Sequence, residues 1–271
     1  MNTKILICCH KSASLSLSEI YLPIQCGREV SNIKIAIQGD DTGENISIKN
    51  RNYCELTALY WAWKNLRDVG IIGLVHYRRF FDFSFSLLKR DVLRVKEYKK
   101  GMEGIDSDNK LQSILEKYDI ILPVRKVFAT NLKKDYCCQH IPEEYEILRT
   151  VIGRIFPDYL ASFDYVMTQK NKASCYNMFI TSWPIFDSYC KWLFDILFEV
   201  EKEVRISEYP YQARVFGFMA ERLLNVYCYE HSLRVSYKPV LFVTLDKCVP
   251  YYLYVLNNLR CRLSFWISMK K

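Results

Sequence analysis

The sequence predicts an α/β protein with a mostly parallel central sheet flanked by helices. Three short, strongly apolar runs of strand length stand at Lys4–Cys9, Ile71–Val75 and Asp119–Pro123. Helical periodicity fills much of the chain between and after them, and polar, turn-rich segments follow the strand ends. Strands and helices alternating in this way build a sheet covered on both faces.

Each element follows from its residues. Lys4–Cys9 reads as a buried strand that ends at His10-Lys11, and Ser12–Ser18 reads as a polar, serine-rich loop. Asn32–Ile37 reads as a second strand. It leads into Gln38-Gly39-Asp40-Asp41-Thr42-Gly43-Glu44-Asn45, whose density of turn residues and acids predicts an exposed loop. Over Glu55–Leu66 the spacing of Leu56, Leu59, Tyr60 and Trp63 predicts a helix, with Gly70 just beyond it. Ile71–Val75 is apolar throughout, as a central strand buried on both faces must be. A lysine-rich, helical stretch precedes the strand at Asp119–Pro123. Helices are expected over Glu143–Ile155, Pro184–Val204 and Gln212–Tyr227, with strands at Asn177–Ile180 and Val240–Val243. No repeat or proline- or glycine-rich linker divides the chain. One domain over residues 1–245 and a basic, aromatic tail over 246–271 are expected.

With 271 residues, half of them hydrophobic and 15% aromatic, the chain has material for a sizeable core, which excludes a disordered protein. A net charge of +8 favours anionic partners: nucleotides, nucleic acid or acidic lipid. The 11 cysteines show no C-x-x-C spacing, and only 4 histidines accompany them, which argues against a zinc site. Unpatterned cysteines fit a reducing compartment. The apolar run near Met1 is too short for a secretory signal. No stretch approaches the roughly 18 apolar residues of a spanning helix, so a cytoplasmic protein is expected.

In open α/β sheets ligands bind at the carboxyl ends of strands, which directs attention to the segments after His10, Gln38, Val75 and Leu122. Gly73-Leu74-Val75-His76-Tyr77-Arg78-Arg79 delivers two guanidiniums to that rim, and arginine presents a planar fork of donors suited to phosphate oxygens. The alternative is an ordinary salt-bridge role for one or both. Asp40 and Asp41 have the chemistry to hold a metal or to accept from sugar hydroxyls, and equally to close a turn. Asn52 and Glu55, at the start of the aromatic helix, either face a ligand or cap that helix. Glu221 interrupts an apolar helical stretch. It is suited to proton abstraction, or to pairing with Arg222 or Arg214. His140 lies in a polar stretch and either lines an acceptor cleft or, as a lone histidine more often does, serves as an ordinary surface or hydrogen-bonded residue. The tail from Lys247 to Lys271 mixes tyrosines, Phe265 and Trp266 with Arg260, Arg262, Lys270 and Lys271, a composition suited to a helix on an anionic membrane surface or to single-stranded nucleic acid, the alternative being a terminal helix packed on the domain. No nucleic-acid-binding motif accompanies it.

Gln38–Gly43, Asn52–Asn65 and Gly73–Phe81, together with Tyr176–Ile180 and Gln212–Asn225, resemble the DUF4422 family of bacterial capsular and exopolysaccharide glycosyltransferases. The resemblance runs from about Lys4 to Tyr229. It implies a GT-A-like (Rossmann-like) fold, a nucleoside-diphosphate-sugar donor with UDP favoured, and a growing or lipid-linked saccharide as acceptor. On that scheme the strand ending at His76 matches the one that usually ends in a metal-binding Asp-x-Asp. His76-Tyr77-Arg78-Arg79 stands there instead, so the resemblance implies a metal-independent enzyme in which Arg78 and Arg79 neutralise the departing pyrophosphate. A manganese or magnesium ion on Asp40 and Asp41 is the alternative. The same scheme makes Glu221 the catalytic base. Apart from that scheme, from their place at the strand-end rim or in polar segments, His10, Lys11, Asp40, Asp41, Asn52, Glu55, His76 and Tyr77 are expected to contact the donor, and His140 and Asn177 the acceptor.

Overall fold

The computed structural model describes residues 2–11, 18–84, 90–96, 108–246 and 249–270. Most of the serine-rich loop (residues 12–17), part of the lysine-rich stretch before Asp119, and Lys247, Cys248 and Lys271 of the tail lie outside the described residues.

The chain opens on β1 (Thr3–Cys9) and continues through β2 (Tyr21–Gln25) and the two-residue β3 (Gln38–Gly39). Next come the short α1 (Asn50–Tyr53) and α2 (Leu56–Asn65). The central strand β4 (Ile71–His76) turns into β5 (Arg79–Phe81), followed by β6 (Val92–Val95), α3 (Asp108–Leu115) and β7 (Ile120–Pro123). Then follow β8 (Lys126–Val127), α4 (Leu132–Gln139), α5 (Pro142–Ile155), α6 (Leu160–Gln169) and β9 (Lys172–Ala173). The last elements are β10 (Phe179–Ser182), α7 (Trp183–Glu201), α8 (Val215–Glu230), β11 (Val235–Lys238), β12 (Val240–Val243) and α9 (Tyr251–Ser268).

These elements form two compact units. The first comprises Met1–Val124, Asn177–Cys190 and Leu233–Lys247, and holds the large sheet. Its main strand order is β11-β7-β10-β4-β1-β2-β3, with β5, β12 and β6 continuing from β4. Pairs β1–β2, β1–β4, β2–β3, β7–β11 and β6–β12 are parallel; β10 runs antiparallel to β4 and β7, and β5 to β4 and β12. The α/β expectation with a mostly parallel sheet therefore holds. Ile5, Leu6, Ile7, Ile72, Leu74, Ile121, Ile180 and Phe80 are completely buried. Each such side chain contributes about 1.5–3 kcal/mol relative to exposure.

Gly73 marks a close approach between neighbouring strands. A Cβ there would stand 2.8 Å from Ile180 Cγ1 and 3.0 Å from the Phe179 carbonyl oxygen on β10. Gly73→Ala is expected to cost about 1–3 kcal/mol by overpacking. A urea melt whose midpoint did not move would remove this contact from the account.

The strand expected at Asn32–Ile37 is replaced by irregular chain. Side chains, not a neighbouring strand, take up its backbone groups. Gln25 Nε2 donates to the Ile33 carbonyl (2.6 Å), Gln25 Oε1 accepts from the Ile35 amide (2.8 Å), and Arg28 Nη1 donates to the Ile37 carbonyl (2.7 Å). The strand in this region is β2, where Pro23 masks the strand pattern. It is tolerated because β3 reaches only Ile24 and Gln25, leaving Pro23 a partner on one side. The strand expected at Asn177–Ile180 begins two residues later, because Tyr176 and Asn177 both take positive φ (76° and 51°).

The second unit comprises Arg125–Tyr176, Lys191–Ser232 and Cys248–Lys271, and is largely helical. Its core includes Val151, Ile152, Phe163, Met167, Phe194, Leu197, Phe216, Met219 and Leu223, all completely buried. Helix α4 is short and polar, so periodicity does not announce it. Its signal is Asn131, whose Oδ1 accepts from the Lys134 amide at 2.8 Å as an N-cap.

Candidate functional site

In the first unit β1, β2, β3 and β4 run parallel, so their carboxyl ends share one edge, and antiparallel β10 brings its amino end there. That edge carries His10-Lys11, Cys26–Arg28, Asp40-Asp41, His76–Arg78 and Asn177. The backbone ties it together: the Tyr77 amide donates to the Cys8 carbonyl at 3.1 Å.

Tyr77 and Arg78 form the tight turn between β4 and β5, in which His76 pairs with Arg79. Tyr77 meets His10 edge to face, ring centroids 4.8 Å apart, with its hydroxyl 3.3 Å from His10 Nε2. The exposed Arg78 guanidinium lies 5.3 Å from the Tyr77 ring centroid, so His10, Tyr77 and Arg78 form one cluster. Arg79, half-buried one residue on, lies over the Phe242 ring at 4.9 Å. Arg78 lies in the turn and Arg79 on β5, so the two guanidiniums have different surroundings. Lys11 is exposed beside His10.

The Asp40 loop is closed from within. Asp40 is completely buried, and its carboxylate accepts from the Gly27 amide (2.7 Å), the Arg28 amide (3.0 Å) and the Ser47 hydroxyl. Gly27 takes φ +65°, and a Cβ there would strike the Asn50 side chain at 2.4 Å. Asp41 pairs with Arg28 Nε at 3.8 Å. Thr42 and Glu44 are clasped by α2, through Trp61 Nε1 and the Tyr60 hydroxyl. The expected exposed loop is thus pinned to the helix that follows it. Nearby, hydrogen bonding to Cys8 and burial push the Cys26 thiol well above its ordinary pKa, a poor state for a nucleophile or metal ligand. Among the described residues no group of three or more His, Cys, Asp or Glu side chains is placed to hold a metal ion.

Glu55 stands between α1 and α2, after Cys54 in a strained positive-φ conformation (53°). It makes no side-chain cap; its Oε1 accepts from Asn177 Nδ2 at 2.7 Å. Asn177 is 4% exposed and Glu55 half-buried, so this pair is a partly buried fixture of the rim. Asn52 is half-buried on α1, and its neighbour Asn50 bridges the break by donating to the Cys54 carbonyl and Thr57 Oγ1.

In the second unit Glu221 lies on α8 with its side chain 22% exposed. Its Oε1 accepts from the Tyr176 amide at 2.9 Å, and its Oε2 from Arg222 Nη1 at 3.3 Å. Arg222 also donates to Asp135 at 3.0 Å. One turn along, Asn225 bonds both the amide and the carbonyl of Ser174. Asp135 and Asn225 escape a sequence reading because their partners lie far off in the chain. His140 is buried, stacked on Phe218 at 4.0 Å, with Nδ1 3.3 Å from Gln212 Oε1. Burial lowers its pKa below 6.5 against the opposing pull of Gln212, which favours the neutral ring.

The same unit has a cavity of about 480 Å³ lined by Glu144, Ile147, Val204, Arg205 and Tyr209 among others. Glu144 is 3% exposed and accepts from the Tyr136 hydroxyl at 3.3 Å. Burial raises its pKa from 4.5 to about 7. A raised carboxyl pKa gives stability that is complete below pH 4.5 and is lost as pH rises through 7. Between about pH 5 and pH 8 this group should cost the folded unit about 2 kcal/mol, and Glu144→Gln should remove that dependence. Parallel urea melts across this range would test it; equal pH slopes for the two proteins would refute it.

Comparisons with known proteins bear on this geometry. A family model described as a domain of unknown function, DUF4422, matches residues 4–232. A solved structure described as the apo form of the bifunctional glycosyltransferase WbbM matches with a TM-score of 0.80 and 28% sequence identity. The match covers 92% of this chain and 47% of that one, so this chain spans about half its length. No curated protein matches.

Proposed function

The chain belongs to the DUF4422 family, and from that premise we propose that it is a glycosyltransferase. It moves a hexosyl group from a nucleoside-diphosphate sugar, with UDP favoured, to a hydroxyl of a growing capsular or exopolysaccharide chain or of a lipid-linked saccharide. The observation that carries this reading is the likeness to a bifunctional glycosyltransferase over 92% of the chain at 28% identity.

The residues supply a consistent chemistry. Breaking the bond from sugar to diphosphate leaves negative charge on the leaving group, and a fixed cation lowers that barrier. Arg78 at the exposed turn is the first candidate for this role and Arg79 the second. His10, Lys11, His76 and Tyr77 flank the same edge and would contact the donor, with Asn52 and Glu55 nearby. A metal on the acidic loop fits poorly, because Asp40 already accepts from three donors and Asp41 faces Arg28. Glu221, oriented by the Tyr176 amide and still partly open to solvent, is the proposed base toward the acceptor hydroxyl. Asn177 would act on the acceptor side, holding Glu55 in place, and His140 through its aromatic stack. A cytoplasmic setting suits the described cysteines, none of which is in a disulfide.

A thermal-shift screen against UDP, GDP and single-stranded DNA tests the class. UDP is expected to raise the melting temperature and DNA to leave it unchanged; stabilisation by DNA alone would sink the enzyme reading. Donor turnover should persist in excess EDTA, and its collapse would return the reaction to a bound metal.

A further inference from the structure

Helix α9 has two apolar faces, and packing within its own unit accounts for only one. Tyr251, Tyr254, Val255, Asn258, Cys261 and Phe265 are half-buried at three- and four-residue spacing, and the helix meets β8. On the other side Tyr252, Leu256, Leu259, Leu263 and Trp266 are exposed by 64%, 57%, 54%, 58% and 54%. At about 100° per residue these five side chains share an arc of about 80°. Arg262 falls just beyond one edge of that arc and Arg260 just beyond the other. From Tyr251 to Lys271 the chain has no Asp or Glu, while it carries Arg260, Arg262, Lys270 and Lys271. Lys270 Nζ sits 3.6 Å from the Trp266 ring centroid at the helix end.

We propose that α9 is a membrane-surface element that lies flat on an anionic lipid bilayer. Its outward arc enters the boundary between headgroups and acyl chains, while Arg260 and Arg262 reach lipid phosphates on either side. Charge selects this occupant over a second copy of the chain. Two such helices paired face to face would set arginines along both flanks with no carboxylate to meet them. The helix rests on the surface: among the described residues no helix is long and apolar enough to cross a membrane. This inference does not rest on the transferase reading, and its test involves no sugar.

Flotation of the full chain with vesicles decides it. The protein should float with vesicles of equal parts phosphatidylcholine and phosphatidylglycerol and stay behind with phosphatidylcholine alone. Leu256→Glu with Leu263→Glu should lower the partition coefficient more than tenfold, roughly the loss of two inserted side chains. Arg260→Ala with Arg262→Ala should lower it about 30-fold on the anionic vesicles. All four positions are exposed, so unchanged melting curves are expected for both variants. No flotation, or equal flotation of wild type and variants, overturns the proposal. So does dimerisation in sedimentation velocity that Leu256→Glu with Leu263→Glu abolishes while vesicle binding is absent.

Discussion

Replacing Arg78 by alanine should reduce donor turnover about a hundredfold while leaving the melting temperature within a degree or so of wild type. The rate loss follows from the size of a single preorganised charge aimed at a developing anion, about 3 kcal/mol of transition-state stabilisation. The small stability effect follows from position, since Arg78 is exposed in a turn and its described contact is the Tyr77 ring. The loss should fall mainly on kcat, because the charge it answers grows as the bond breaks. Lysine at the same position should recover part of the rate but lacks the planar fork. Arg78→Ala with an unaltered rate would pass the role to Arg79 or to Lys11, and the present assignment would fall.

The second large effect concerns stability. Arg222 is 5% exposed and joins Glu221 and Asp135, so truncating it removes the guanidinium that these two partly buried carboxylates share. Breaking one partner out of a buried ion pair typically costs about 3–5 kcal/mol. The carboxylates retain some solvent, so about 3 kcal/mol is expected for Arg222→Ala, or roughly 10 °C in melting temperature. Asp135→Asn combined with Arg222→Met should recover part of it, because the pair would then be removed instead of broken. Additive losses in that cycle, or a loss under about 0.5 kcal/mol for Arg222→Ala, would show that the network carries no coupling.

What the sequence reveals depends on whether the governing interaction is local. The strands β1, β4 and β7 are legible because burial on both faces demands unbroken apolar runs, and α2, α5, α7 and α8 because their packed faces recur at helical spacing. The segment at Asn32–Ile37 has a strand's composition, yet Gln25 and Arg28 capture its backbone groups, which no local pattern encodes. Asp40 shows the same limit in the site. Its neighbours mark a turn or a ligand-binding loop equally well, and only the fold shows its oxygens already engaged with Gly27, Arg28 and Ser47. The clustering of His10, Tyr77 and Arg78 was half legible: the strand end at His76 points to the rim, but Tyr77 meeting His10 depends on β1 and β4 being neighbours. The two units are interleaved along the chain, so no linker composition marks where one gives way to the other.

The brevity of β3 has a bearing on how the protein behaves at high concentration. A long, bare outermost strand invites another molecule to add itself to the ladder, the first step toward intermolecular β-aggregates. Here the margin next to β2 offers only Gln38 and Gly39, and the stretch before them has carbonyls already occupied by Gln25 and Arg28. That border gives an incoming chain little to template on, and Gln25→Ala, by freeing it, should seed visible precipitation sooner than wild type during expression.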